Sequence, residues 1–469
     1  MKIHRVEVPG LAHYSYVLSS RGRCAVIDPR RDVDVYLDYA RANRLEITHV
    51  LETHIHADYA SGARELAERA GAELWLSAHD KSQDFEYAFP HHEFRDGASF
   101  SLGDLRIEAI HTPGHTPEHI SFLVTDLSRG NYPAALFSGD FVFVGSLGRP
   151  DLLGEEAKRG LASALFESVT RKIAPLPDGL EILPAHGAGS LCGSGMSDRP
   201  QSTLGYERHT NPYFGIPQRE QFVNRILETV PPFPDYYRRM KRLNAQGPAL
   251  LGVLPGARAF DAAEFRRRVE DSQAVIIDLR RPEAFGGAHI PGSLNIGAGP
   301  SFGFWAGWIV PYDRPIYLVS DGDAGIEDAR RALVRVGLDR IEGYLEGGVS
   351  SWLGAGFPES HLAQMSVNEL HERLSTCPFL LDVRAKGEWD SGHIDSAHHL
   401  YAGEVEKHLA EIPRDRLVCV ICASGYRSSI VASLLLREGF QNVANITEGM
   451  TAWAAARLPV TAPAATCAA

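Results

Sequence analysis

Thr53-His54-Ile55-His56-Ala57-Asp58-Tyr59, entered directly from the apolar run over 47–52, decides how the first half of this 469-residue chain is read. A strand predicted over 47–52 hands over to a turn that carries two histidines and an aspartate at alternate positions. Further metal-type residues recur at turns after predicted strands: His115 in His111-Thr112-Pro113-Gly114-His115, Asp140 in Phe137-Ser138-Gly139-Asp140, and His186 in Pro184-Ala185-His186-Gly187. Short apolar runs over 24–27, 105–110, 120–124 and 134–137 predict the other strands. Helical patterns over 63–70, with Ser61 as N-cap and Gly71 as stop, and over 155–173 lie between strands. The class is α/β. His49, His79, His91, His92 and His111 fall outside this spacing and read as solvated or structural.

A Gly- and Pro-rich segment over 187–217 follows, then an amphipathic stretch, then Pro231-Pro232-Phe233-Pro234 with a basic run to Arg242. A boundary is placed near residue 250. Beyond it the chain repeats itself at an offset of about 104 residues. Asp278-Leu279-Arg280 matches Asp382-Val383-Arg384, Phe285 matches Trp389, and His289-Ile290 matches His393-Ile394. Likewise Gly348 and Trp352 match Gly449 and Trp453. Each copy alternates strands with helices, predicted over 326–336 and 429–437, so a parallel sheet covered on both faces is expected in each. The resulting division is 1–250, 251–361 and 362–462.

In the second copy an apolar run over 417–421 leads into Cys422-Ala423-Ser424-Gly425-Tyr426-Arg427-Ser428, which puts a thiol where a strand hands over to a helix. Backbone N–H groups of such a loop, the positive helix end and the Arg427 cation all favour a thiolate there. In the first copy Ser320 stands in place of Cys422, Gly325 in place of Arg427, and Asp321 and Asp323 add negative charge that would repel a bound anion. That copy is read either as inactive and kept for packing or for orienting the other domains, or as binding something of its own through the acidic loop.

With 47 basic and 59 acidic residues the formal charge is -12, and no Lys/Arg block forms a phosphate-binding stripe, so nucleic acid is not an expected partner. No segment has the 18 apolar residues of a membrane span and no signal-peptide core opens the chain, which makes the cytoplasm the default expectation and a membrane partner unexpected. Six scattered cysteines point to reduced thiols, most of them buried, rather than staples.

The second copy, through Asp382-Val383-Arg384, Glu388, Gly392-His393-Ile394, the 422–428 loop and Glu448-Gly449-Met450-Thr451-Ala452-Trp453, resembles the rhodanese (thiosulfate sulfurtransferase) family. The resemblance implies a Cys422 persulfide that passes sulfur to an acceptor, with Arg427 beside it. The first 190 residues or so, through His54, His56, Asp58, His115, Asp140 and His186, resemble the metallo-β-lactamase fold family. An αββα sandwich is therefore expected at the N-terminus, followed by two rhodanese-like α/β domains. Dinuclear zinc hydrolases of this fold carry a further histidine where Tyr59 stands. Its loss favours a single ion on His54, His115 and Asp140, and two imidazoles with one carboxylate form the facial set of non-haem Fe(II) oxygenases. His56, Asp58, Tyr59 and His186 would then orient ligands or substrate.

The domain further resembles the persulfide dioxygenases, and the three-domain layout is similar to bacterial fusions of such a dioxygenase with a sulfurtransferase. The resemblance implies one Fe(II) per chain, a small-molecule thiol persulfide and O₂ as substrates, sulfite passed on to Cys422, thiosulfate as product, and a homo-oligomer. Cys192, six residues after His186, is read either as a sulfur acceptor or as a small residue in a tight loop, and Arg149 either as an anion-steering or as an ion-paired residue. Two other functions stay open: a zinc-dependent thioester hydrolase of the glyoxalase II kind, and a non-oxidative sulfur-relay carrier. The aromatic run Phe302-Gly303-Phe304-Trp305-Ala306-Gly307-Trp308 is read as a domain contact or an ordinary apolar insertion.

Overall fold

The computed structural model describes residues 1–81, 85–231, 233–323, 325–376 and 378–461; Cys377 and Cys467 lie outside them. The chain divides into two compact units, one of residues 1–253 with 333–337 and one of the remainder to the C-terminus, so both copies of the repeat fall in one unit.

In the N-terminal unit β1 (Lys2–Val8), β2 (His13–Ser20), β3 (Arg23–Ile27), β4 (Glu46–Leu51), β5 (Glu73–Ser77) and β6 (His92–Phe94) form one sheet in that order. A second sheet orders β7 (Ser99–Leu102), β8 (Leu105–His111), β9 (Ile120–Asp126) and β10 (Pro133–Gly139) toward two later strands, while β11 (Val142–Phe143) and β12 (Ser146–Leu147) form a separate hairpin. The later strands are β13 (Glu181–Pro184), parallel to β10, and the edge strand β14 (Ser202–Thr203). Strand alternation builds the layers. On β3, Ala25 and Ile27 join Ile107, Phe122 and Phe137 between the sheets, whereas Cys24 and Val26 face outward. That outer face is covered by α1 (Asp34–Asn43) and α2 (Ala63–Ala70), with Tyr36 and Leu66 fully buried. Outward residues Leu136 and Ile182 of the second sheet meet α3 (Glu155–Glu167). Three more helices follow: α4 (Leu204–Thr210), α5 (Arg219–Glu228), which shares that outer layer through Phe222, and α6 (Tyr236–Gln246). The arrangement is the expected αββα sandwich.

Two local expectations differ. The helix predicted over 155–173 ends at Glu167 and continues as a π turn, Ser168–Lys172, where the Ser168 hydroxyl donates to the Pro113 carbonyl at 2.8 Å. At the start of α2 the N-cap is Gly62, while Ser61 Oγ accepts from Ala63 N at 2.9 Å.

The second unit contains two five-stranded parallel sheets of identical order. The first runs Ala259–Phe260, Ile341–Leu345, Ile316–Val319, Val275–Asp278, Leu294–Asn295, and the second Ala363–Met365, Val443–Ile446, Val418–Ile421, Phe379–Asp382, His398–His399. The aromatic run forms a helix, Phe302–Ile309, which settles it as a contact between the copies: Trp308 abuts Gly403 so closely that a Cβ there would lie 2.0 Å from the indole. Among the described residues no helix is long and apolar enough to cross a membrane.

Candidate metal centre and thiol site

Each strand end of the sandwich contributes one piece of a buried cluster. β4 ends just before His54, β10 just before Asp140, and β13 just before His186; all three side chains are buried, as is His115. Hydrogen bonds decide which ring nitrogen of each histidine is free. Thr53 Oγ1 donates to Asp28 Oδ2 at 3.0 Å, so its oxygen accepts from His54 Nδ1 at 2.9 Å. A carbonyl can only accept, so His115 Nδ1 donates to Arg149 O at 2.9 Å. Both Nε2 lone pairs are therefore bare, and they converge on Asp140 Oδ2, at 3.8 Å from His54 and 3.4 Å from His115. All three atoms are buried without a hydrogen-bond partner. Burial is the main force holding both imidazoles well below their ordinary pKa, with neighbouring histidines adding to it, so they stay in the neutral, ligating form. Leaving three polar atoms unpaired together in a dry interior is costly, and a cation at their centre removes the cost. These residues fit a metal ion.

The other histidines and acids of the motif are engaged elsewhere. His186 Nδ1 donates to Asp140 Oδ1 at 2.7 Å and Nε2 to Asp58 Oδ2 at 2.8 Å. Burial alone would lower the pKa of His186, but the two carboxylates outweigh it and hold it well above its ordinary value. As an imidazolium it can donate to both. His56 Nε2 meets Asp28 Oδ1 at 3.1 Å, and Tyr59 Oη donates to Asp28 O at 3.3 Å, away from the bare nitrogens. Arg149 is buried, forked onto Asp151 at 2.7 and 2.9 Å and bonded to Leu191 O at 3.0 Å. Of the two readings of Arg149, this geometry favours the ion-paired one: a buried guanidinium bonded through all three of its nitrogens holds a loop, here the one whose carbonyl orients His115. Cys192 is buried within ligand distance of Asp58 and His186, and burial followed by the nearby Asp58 and Asp140 charges pushes its thiol pKa well up.

Sequence reasoning missed several members. His119 Nε2 accepts from Asp140 N at 3.1 Å and lies in the repeated Thr-Pro pattern four residues after His115, a spacing that could have flagged it. Glu118 Oε1 accepts from Ile55 N at 2.9 Å; Lys241 Nζ donates to Ile55 O at 3.2 Å; Asn244 donates to His56 O and Tyr59 O at 2.8 and 2.7 Å. The last two sit on α6, nearly 190 residues from the motif, and no local pattern announces them.

In the second unit Cys422 is buried at the end of Val418–Ile421. Its Sγ accepts from Gly425 N at 3.2 Å and Ser428 Oγ at 3.4 Å. The following helix starts at Tyr426, earlier than the predicted 429, because the loop closes as Gly425 N–H turns onto the sulfur; Arg427 thus lies in its first turn. Arg427 does not face the thiol alone: both ends of its guanidinium bond Glu388, at 2.6 and 2.7 Å. The arrangement resembles an anion cradle whose cation is paired with a carboxylate.

Comparison with known proteins agrees with this geometry. A family model described as the metallo-beta-lactamase superfamily matches residues 8–186, and a rhodanese-like domain model matches 261–355 and again 366–456. A probable metallo-hydrolase of Burkholderia pseudomallei is 32% identical over 210 residues, covering 38% of this chain and 69% of the relative. The crystal structure of a metallo-beta-lactamase from Staphylococcus aureus is 35% identical, with a TM-score of 0.65, and covers 74% of this chain and 99% of that one. The chain belongs to the metallo-beta-lactamase superfamily. It carries two rhodanese-like domains after that superfamily domain. The hydroxyacylglutathione hydrolase GloC of Haemophilus influenzae is also similar, 26% identical over 215 residues, 42% of this chain and 91% of that protein. As a metallo-beta-lactamase-fold protein with an intact set of candidate ligands, it reads as a metal-binding enzyme.

Proposed function

We propose that the N-terminal domain oxidises a low-molecular-weight thiol persulfide with O₂ at a single Fe(II), and that Cys422 combines the resulting sulfite with sulfane sulfur as thiosulfate. The observation that carries this reading is the division of the buried cluster. Three unpaired atoms, His54 Nε2, His115 Nε2 and Asp140 Oδ2, converge, while Asp58 and His186 bond each other and Tyr59 turns to Asp28. Two nitrogens and one oxygen would hold ferrous iron, which when bound supplies an electron-rich centre open to both sulfur and O₂. His186 keeps Asp140 in place, Thr53 and the Arg149 carbonyl hold the two imidazoles, and the buried walls exclude water. The overall change balances as RSSH + O₂ + H₂O giving RSH, sulfite and two protons. At the second site the Cys422 thiolate takes the outer sulfur of another persulfide and releases its thiolate; sulfite then attacks that sulfur, and Cys422 leaves as thiolate again. Gly425 N–H, Ser428 Oγ–H and the helix end stabilise the charge. Joining both domains in one chain raises the local sulfite concentration at Cys422.

A zinc thioester hydrolase is the second reading. Asp58, His186 and Cys192 lie close enough to hold a second ion, and one relative is named a hydroxyacylglutathione hydrolase. Metal analysis of the purified protein combined with turnover of glutathione persulfide in air and under argon separates the two. One iron per chain with oxygen-dependent sulfite release is expected. Two zinc ions with equal turnover of a glutathione thioester under argon would overturn the oxidation reading.

A further inference from the structure

Beside the metal cluster, the N-terminal unit holds a cavity of about 540 Å³ lined by Phe85, Leu152, Leu153, Glu86, Arg238 and Arg242, among others. That volume suits a small molecule. Arg238 and Arg242 stand one turn apart on α6, both exposed, and neither forms a hydrogen bond or ion pair with a described residue; Arg238 has only the Phe233 ring, 5.7 Å from its guanidinium. Like charges at this spacing repel along a helix, and α6 packs four of them, with Arg239 and Lys241, into five positions. Lys241 is accounted for by Ile55 O and by Glu118 at 4.0 Å; Arg238 and Arg242 instead line the cavity, together with Phe85, Leu152 and Leu153. Glu86 lines the same wall, which leaves two positive charges against one negative.

The cavity is tied to the metal cluster from both sides. Leu152 comes three residues after Arg149, whose carbonyl orients His115. Ala245 also lines the cavity and follows Asn244, which holds the His56 and Tyr59 carbonyls. Between them the Lys241 ammonium sits 5.3 Å from the Phe85 ring centroid while bonding Ile55 O. A molecule in the cavity thus rests on the same helix and loop that fix the ligand-bearing turns.

We propose that this cavity binds the anionic tail of the thiol that carries the persulfide, with Arg238 and Arg242 each taking a carboxylate or phosphate and Phe85, Leu152 and Leu153 covering the carrier's apolar stem. The inference rests on the persulfide reading for what stands at the metal end. Guanidinium forks recognise both anions, so carboxylate and phosphate carriers share this chemistry.

Calorimetric titration of the full-length, metal-loaded protein with reduced glutathione, and separately with coenzyme A, needs no turnover. At least one of them should bind, and the double variant Arg238→Glu/Arg242→Glu should bind it at least about tenfold more weakly, with most affinity kept in Arg238→Lys/Arg242→Lys. Binding of glutathione alone assigns a dicarboxylate carrier and of coenzyme A alone a phosphate carrier; binding of both supports recognition of the shared anion. If neither thiol binds the native protein, or the charge-reversed variant binds as the native protein does while unfolding at the same temperature, the assignment is overturned. Oxygen uptake by the native protein on 2-mercaptoethanol persulfide, which has no anionic tail, tests the metal end separately. If that persulfide and glutathione persulfide both leave O₂ untouched while thiol binding still depends on the arginines, the oxidation reading falls and the cavity assignment stands.

Discussion

The two rhodanese-like copies share a frame and differ in a loop. In both, a buried aspartate at the end of a central strand forks onto an arginine two residues later, Asp278 with Arg280 and Asp382 with Arg384, each at 2.7 Å. A histidine stacks on the preceding aromatic ring in both, His289 on Phe285 at 3.8 Å and His393 on Trp389 at 3.7 Å. Trp352 and Trp453 each donate an indole N–H to a proline carbonyl six residues on. Gly348 and Gly449 occupy equivalent positive-φ turns where a Cβ would strike the carbonyl of Ser320 or Cys422 at about 2 Å. Yet one loop offers a thiol cradled by an N–H and a hydroxyl, and the other a serine flanked by aspartates. The frame is thus kept for packing whether or not the loop retains its chemistry.

The largest expected effect cuts the copies apart. Cys422→Ser should abolish thiosulfate formation while persulfide-dependent O₂ uptake continues; thiosulfate still made by this variant would break the division of labour between the domains. Asp382→Ala and Asp278→Ala should each cost about 3–5 kcal/mol in denaturant unfolding, because each strands a buried guanidinium. Equal losses support a shared frame, and a much smaller loss in the first copy would show that its ion pair is a relic.

A subtler probe asks whether the first copy supports the second. Ser429 Oγ donates to Asn295 Oδ1 at 2.6 Å, Asn295 N donates to Ser433 Oγ at 2.9 Å, and Tyr426 Oη donates to Gly297 O at 2.9 Å, so the helix behind Cys422 is gripped by the first copy. Asn295→Ala should cost about 1 kcal/mol, read as a lower unfolding midpoint of the second unit.

The smallest effect concerns Glu388. Burial would raise its pKa, but Arg427 outweighs burial and holds it below the ordinary carboxylate value. A depressed carboxylate contributes stability that is present above its unfolded pKa and is lost as pH falls through the folded one. The stability gap between native protein and Glu388→Gln should therefore be at most about 1 kcal/mol near neutrality, since Glu388 is partly exposed, and close in acid. A gap that widens as pH falls would contradict the pairing.

The layered fold was largely legible because strand alternation and the repeat are local or periodic signals. Arg280 and Arg384 could be paired by offset alone, and the candidate ligand histidines stood in turns after predicted strands. Arg149 and Cys192 were ambiguous because each draws a partner from a distant segment: Leu191 for one and Asp58 for the other. His13, which enters the cluster against Tyr59 at 4.1 Å between ring centroids, belongs to a strand with no motif around it.

The sequence by itself determined the residue types, their order at strand ends and the duplication, since side-chain chemistry and hydrophobic period are carried by neighbours along the chain. Tertiary structure alone decided which nitrogen of each histidine is bare, that Arg149 holds a loop, that Glu388 clamps Arg427 and that α6 brings Lys241 and Asn244 beneath the metal turn. Those outcomes depend on hydrogen-bond partners that meet only when distant strands and helices pack.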